Sequence, residues 1–195
     1  MKELIIATTN NGKMKEMRTL LAPLNIEVKS ILDEFKENIE IEENGKTFKE
    51  NALIKAQTIA DKTGKVTLAD DSGLVIDALD GRPGVESARF LGHDTSYIIK
   101  NNHILELMKD KENRSARFVC AIAIVIPNQE PILFEETFEG EIAKEILGEN
   151  GFGYDPIFYF PPLEKTSAEM SMEEKNQYSH RAKAVKKAID IIKEL

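Results

Sequence analysis

The chain has 195 residues, 42% hydrophobic and 31% charged, enough for an ordinary core under a well-solvated surface in a single domain, 1–195. Asp and Glu outnumber Lys and Arg by 34 to 26, a net charge of −8. That excludes the broad basic field that nucleic acid or an anionic membrane needs, so a phosphate ligand has to be met by a local cluster of cations together with a divalent metal. The single cysteine, Cys120, excludes an internal disulfide. With no secretory leader pattern and no apolar run of transmembrane length, a cytoplasmic protein is expected.

Leu4–Ala7 reads as a short buried strand and Gly12–Leu21 as a helix, with Met14, Met17, Leu20 and Leu21 along one side. A second strand is expected over Ile26–Ile31. The segment Thr47-Phe48-Lys49-Glu50 has the form of a capping box, opening a helix to Lys62 that closes near Gly64. Val66–Ala69 reads as a strand and Leu74–Asp77 as another, before a turn at Leu79-Asp80-Gly81. Ser96–Lys109 is helical in pattern. The β-branched run Arg117–Ile126 predicts a central strand, and Ile132–Phe138 and Glu141–Ala143 continue the sheet. Ser171-Met172-Glu173-Glu174 is a further capping box. A last helix over Ser179–Lys193 turns Val185, Ala188, Ile189 and Ile192 inward. Helices around consecutive strands imply an α/β fold, a mixed sheet flanked by helices.

Thr8-Thr9-Asn10-Asn11-Gly12-Lys13 spans the exit of the first strand and the start of the first helix. Such a turn offers free N–H groups, the positive end of the helix dipole and a lysine, a plausible phosphate cradle or simply a polar cap. It is neither a Walker A loop nor a G-x-G-x-x-G turn. Asp70-Asp71-Ser72-Gly73 follows a strand. It reads equally as a cation-binding, water-activating pair of acids or as an Asx turn with Gly73 at positive φ. Lys55 shares a helix face with Phe48, Ala52 and Ile59, so it either snorkels or meets an anion. Glu40, Glu42 and Glu43 precede Gly45 in a loop as weak metal-ligand candidates. Gly151-Phe152-Gly153-Tyr154-Asp155-Pro156 pairs an exposed ring with an acid, which suits a planar heterocycle as well as a core plug. His180 and Arg181, after Ser179, place cations at a helix start against the dipole. This is either a small surface cost or the mark of a ligand, to which Lys175 could add a donor.

Taken together in this order, these motifs, with Pro83-Gly84-Val85-x-Ser87-Ala88-Arg89, closely resemble the inosine triphosphate pyrophosphatase family, over nearly the whole chain. One departure is visible: Phe90-Leu91-Gly92 follows Arg89 where family members often have Tyr-Ala-Gly. The resemblance implies a long twisted mixed sheet with two lobes around a deep cleft, and a homodimer. It also implies Mg²⁺-dependent hydrolysis of ITP, dITP and XTP to the monophosphate and pyrophosphate. Carried over by motif, Thr8, Thr9, Asn10, Asn11, Gly12 and Lys13 would bind the triphosphate; in the mechanism this suggests, Lys13 and Lys55 offset charge on the leaving group. Asp71 would be proton acceptor and metal ligand, and Ser72 a substrate contact. Glu43, with Glu42 second, would complete the metal site. Phe152, Gly153, Tyr154, Asp155, Lys175, His180 and Arg181 would hold the nucleotide. In this reading His180 or Arg181 donates to the purine O6 and Asp155 or nearby backbone accepts from N1–H. Two rivals are a nucleotide pyrophosphatase of the septum-formation inhibitor family and a non-catalytic nucleotide-binding protein.

Overall fold

The structure is a computed structural model that describes residues 1–195. The apolar run at the start forms β1 (Glu3–Ile6), which pairs in parallel with β2 (Glu27–Ser30) and β3 (Thr67–Ile76). Parallel neighbours need crossovers, and helices fill them. α1 (Asn11–Leu21) leads to β2; a short α2 (Ile31–Glu34) and then α3 (Phe48–Thr63) precede β3. α4 (Tyr97–Met108) comes before the long β4 (Ser115–Val125) and β5 (Ile132–Ile142). β6 (Phe158–Phe160) and β7 (Lys165–Thr166) add antiparallel edges, and α5 (Met172–Tyr178) and α6 (His180–Lys193) close the chain. The seven strands form one mixed sheet in the order β2-β1-β3-β4-β5-β6-β7.

Several boundaries differ from the sequence reading, each for a local reason. Val66–Ala69 and Leu74–Asp77 belong to one strand: Asp70-Asp71-Ser72-Gly73 stays extended within β3, and Gly73 is not among the glycines with positive φ. The two acids remain in a sheet because cations meet them there, and the Leu74 N–H is taken by Ser87 Oγ at 2.9 Å. β5 is likewise continuous through Gly140, where a Cβ would come within 2.6 Å of the Phe158 ring and the Tyr159 carbonyl. Thr47 does cap α3, accepting from the Glu50 N–H, but Glu50 turns its carboxylate to the Lys46 N–H and the capping box is left half made. The box at Ser171 and Glu174 is complete, and an unexpected one at Ser30 and Asp33 creates α2.

By its contacts the chain divides into two compact units, Met1–Asp71 with Cys120–Glu136 and Arg181–Leu195, and Ser72–Val119 with Thr137–His180. In the first unit the strands alternate strictly. Leu4, Ile6, Leu68, Cys120, Ile122 and Ile124 form one core with Met14 and Met17 of α1 and Ala184, Val185 and Ala188 of α6. Ile5, Ala7, Ala69, Ala121 and Ala123 form the other with Ala52, Ala56 and Ile59 of α3. The alanines on both partners let α3 approach the sheet closely. Truncating a fully buried residue such as Ile59 to alanine would cost about 2–5 kcal/mol. The second unit is built around aromatic rings, with Phe118, Phe138, Phe158 and Tyr154 packed on Leu74, Ile76, Ile104 and Met108. No helix is long and apolar enough to cross a membrane.

Candidate active site

The period of the strand decides where the two acids go. Asp70 follows Leu68 and so faces the α1–α6 side of β3, while Asp71 follows Ala69 and faces α3. Each finds a different set of cations. Asp70 is fully buried; its Oδ2 is 3.2 Å from Lys13 Nζ and 3.4 Å from Arg181 Nη2, with the Cys120 thiol at 3.9 Å. Burial alone would raise its carboxyl pKa, but Lys13, Arg181 and Lys55 outweigh this and hold it far below the usual range. The same burial pushes the Cys120 thiol far up, so it is an inert core residue.

Asp71 has a poorer environment. Its Oδ1 is 4.0 Å from Lys55 Nζ, and its Oδ2 is buried without a hydrogen-bond partner. Burial therefore dominates and raises its pKa, against the pull of Lys55 and Lys13. Lys55 does not snorkel. It is buried, donates to the Asp70 carbonyl at 2.5 Å, and reaches Glu43 Oε1 at 3.0 Å. Burial pulls the ammonium's pKa down, but Asp70, Glu43 and Asp71 more than reverse this. Glu43 and Asp71 thus converge on one cation, whereas Glu42 is exposed.

The turn before α1 has the expected form. Asn10 is the cap, accepting from the Lys13 N–H at 3.0 Å, and Thr8 Oγ1 accepts from the Asn10 N–H at 3.1 Å. The Asn11 and Gly12 N–H groups are those a helix start leaves without an intrahelical acceptor. Thr9, Asn10 and Asn11 are exposed, and Lys13 is half-buried.

In the second unit Asp155 organises the aromatic loop. Its Oδ2 accepts from the Phe152 N–H at 3.0 Å and from Lys175 Nζ at 2.8 Å, and that ammonium sits 5.2 Å from the centre of the Phe152 ring. Gly151, at φ 72°, has no alternative here: a Cβ would come within 2.1 Å of Asp155 Oδ2. Gly153 gives its carbonyl to Asn101 Nδ2 at 3.1 Å. Tyr154 is buried; its hydroxyl donates to the Ser87 carbonyl at 2.5 Å and its ring meets Tyr97 edge-on. His180 stacks on Phe118 at 4.9 Å, and Ser72 stands on β3 directly after Asp71.

For a donor to the purine O6 the sequence offered His180 or Arg181. Arg181 is 2% exposed, and its guanidinium is engaged by Glu16 Oε2 at 2.5 Å and by Asp70, both in the first unit. Those carboxylates offset a cation set against the helix dipole. Tyr154 is the loop's buried anchor. The sequence reading missed Glu16 and Asn101. A carboxylate one turn beyond Lys13 and beside Met17 was a readable signal for Glu16. Asn101 follows Lys100 and precedes Asn102, a polar run that reads as solvated surface.

A hard divalent cation fits the donors present. Glu43 and Asp71 supply two oxygen-bearing side chains, one with a buried, unsatisfied oxygen, and no cluster of three or more His, Cys, Asp or Glu forms an all-protein cage. Mg²⁺ is usually held in this way, by one or two carboxylates with water and substrate phosphates.

Known proteins resemble this chain along nearly its whole length. The model of the Ham1 family matches residues 4–191. The dITP/XTP pyrophosphatase of Bacillus licheniformis is 51% identical over 189 residues, 96% of each chain, and that of Bacillus subtilis is 50% identical over 96% of this chain and 95% of its own. Among solved structures, a HAM1 protein from Coxiella burnetii superposes with a TM-score of 0.90 at 42% identity over the full length of both chains. The Staphylococcus aureus Ham1 protein gives 0.88 at 39% identity over 99% of both.

Proposed function

Because this chain belongs to the Ham1 family, we propose that it hydrolyses purine nucleoside triphosphates with an oxo group at C6 (dITP, ITP and XTP) to the monophosphate and pyrophosphate. The observation that carries the reading is Asp71: a buried carboxylate with an unsatisfied oxygen, its pKa raised, beside Lys55 and Glu43. A group in that state is poised to take a proton from water.

In this mechanism the Asn11 and Gly12 N–H groups and Lys13 receive the phosphates. Asp71 orients a water and accepts its proton as the oxygen bonds to the α-phosphorus. The bond from that phosphorus to the bridging oxygen breaks, and pyrophosphate leaves with the electron pair. Lys13 and Lys55 offset the charge gathered on the leaving group. Mg²⁺, held by Asp71 and Glu43, supplies charge neutralisation on the phosphate oxygens when bound. Phe152 stacks on the base. His180 or Arg181, at the start of α6, donates to O6, and Asp155 or nearby backbone accepts from N1–H. An adenine amine placed against those donors would leave polar groups unsatisfied, costing on the order of 1–3 kcal/mol per group. The homodimer and the cleft implied by the family resemblance, and the cytoplasmic location expected from the sequence, are part of the same proposal.

Pyrophosphate release from dITP, XTP, GTP and ATP, with Mg²⁺ and with chelator, tests it. Fast release from dITP and XTP, lost with chelator and in Asp71→Asn, is expected. Release that survives Asp71→Asn, or that favours ATP, would overturn the assignment.

A further inference from the structure

Four Lys and Arg side chains are buried: Lys55, Lys100, Lys175 and Arg181. Lys55, Lys175 and Arg181 each meet a carboxylate. Lys100, only 1% exposed, meets a carbonyl and a ring instead. Its ammonium donates to the Ala88 carbonyl at 2.8 Å and lies 4.6 Å from the centre of the Tyr97 ring. Burial, with no anion to oppose it, lowers its pKa. Lys100 also shares the buried face of α4 with Ile104 and Met108, one and two turns further on. An apolar side chain there would fill the space without desolvating a charge, so the lysine calls for an explanation.

Its neighbours close a circuit within the second unit. The 3₁₀ turn Gly84–Glu86 runs on into Ser87 and Ala88. Ser87 Oγ ties that turn to β3, donating to the Gly84 carbonyl at 2.6 Å and accepting from the Leu74 N–H at 2.9 Å. The next two carbonyls go to different elements. That of Ser87 accepts from the Tyr154 hydroxyl at 2.5 Å, and that of Ala88 from Lys100. Tyr154 stands two residues after Phe152, and its ring meets Tyr97 edge-on at 5.1 Å. Asn101, beside Lys100, holds the Gly153 carbonyl. α4 thus reaches the Phe152 loop twice, directly through Asn101 and by way of the turn through Lys100. A charged donor makes a stronger bond to a carbonyl than a neutral one, which gives the buried ammonium a use.

We propose that Lys100 is a positioning residue for the base-binding loop: by holding the Ala88 carbonyl it fixes the turn that anchors Tyr154, and so sets the Phe152 ring. Base affinity then depends on Lys100, whereas phosphate affinity and the chemical step do not. The inference rests on the reading that Phe152 stacks on the base.

Steady-state hydrolysis of dITP and calorimetric binding of bare tripolyphosphate, both with Mg²⁺, test it in Lys100→Met, Tyr154→Phe and the double variant. Methionine keeps much of the volume and removes the donors. Each single variant should raise KM for dITP at least about threefold, with kcat and tripolyphosphate binding within about twofold of the wild type. The double variant should lose no more than the more affected single one, because both act through the same turn. The chain has no tryptophan, so Phe152→Trp places a single indole on the loop. The decay of its fluorescence anisotropy should gain a faster component when Lys100→Met is added. An unchanged KM, losses that multiply in the double variant, an equal loss of tripolyphosphate, or unchanged motion of the indole would overturn the proposal. If Lys100→Met does not fold, Lys100→Gln, with a shorter and neutral donor, is read in its place with the same expectations. Wild-type protein that releases no pyrophosphate from dITP refutes the catalytic reading; the indole, which needs no substrate, then decides the positioning role alone.

Discussion

The two units bury different materials. The first buries whole charges: Asp70, Asp71, Lys55, Glu16 and Arg181 are all within its interior. The second buries one such pair at its candidate site, Lys175 with Asp155 at 2.8 Å, and otherwise relies on rings and backbone carbonyls. Phe118, Phe138, Phe158 and Phe160 pack in contact, His180 stacks on them, and Tyr154, Lys100 and Asn101 each donate to a main-chain oxygen. A phosphate tail carries full charge and needs full charges held apart from water. A neutral flat base needs a surface, a fixed loop and a few directed donors. The first unit accordingly carries the larger electrostatic cost and, on the proposed mechanism, the larger catalytic effect.

The sharpest way to break the comparison is Asp71→Asn. Turnover should fall about 10²–10⁴-fold with little change in KM, as for loss of a general base. Its effect on stability runs the other way. The folded-state pKa of Asp71 is raised, so the folded chain holds that proton more tightly than the unfolded chain does. This contribution to stability is present below the unfolded carboxylate value and is lost as pH rises through the folded one. At neutral pH, in metal-free protein, the ionised carboxylate is therefore a net burden. Asp71→Asn should raise Tm in a thermal melt while abolishing activity. In the wild type, kcat/KM should decline on acidification as Asp71 takes up a proton and ceases to serve as base. A variant with reduced Tm would show that Asp71 stabilises the first unit, contrary to its orphaned oxygen.

Phe152→Ala comes next and belongs to the second unit alone. Loss of a stacking face is worth about 1–3 kcal/mol per base, so the KM for dITP should rise roughly 5- to 100-fold. Tripolyphosphate binding should not change. An equal loss for both ligands would erase the division of labour between the units.

Asn101→Ala probes the loop's support without touching its ring. One hydrogen bond to the Gly153 carbonyl is worth about 0.5–1.5 kcal/mol, so a rise in KM of about two- to tenfold is expected, with kcat retained. Steady-state kinetics that match the wild type would remove Asn101 from the loop's support. The smallest effect is reserved for Arg18→Ala. Its pair with Asp33, at 2.6 Å, is half exposed, so stability should move by no more than about 0.5 kcal/mol in denaturant melts and activity not at all.

Much of the fold was legible because its signals are local. The β-branched run at β4, the capping serines before α4 and α5, and the apolar stripe of α6 are each written within one or two turns of chain. The signals that failed were those where neighbours override propensity. Asp70-Asp71-Ser72-Gly73 has the composition of a turn and remains strand because the sheet and the cations facing it supply what a turn would have supplied. Gly140 reads as a break and is instead the space that the Phe158 ring requires.

By itself, then, the order of residues determined most of the elements, the helix start at Asn10 and the glycines that free the Phe152 loop. Only the tertiary structure decided which charges meet. Glu16 and Arg181 are 165 positions apart, and Arg181 and Asp70 are 111 apart. A buried ion pair leaves no periodic trace in sequence, because its partners answer to distance in space and not to spacing along the chain. For that reason the helix start shows Arg181 as a cation against the dipole but not the buried carboxylates that meet it.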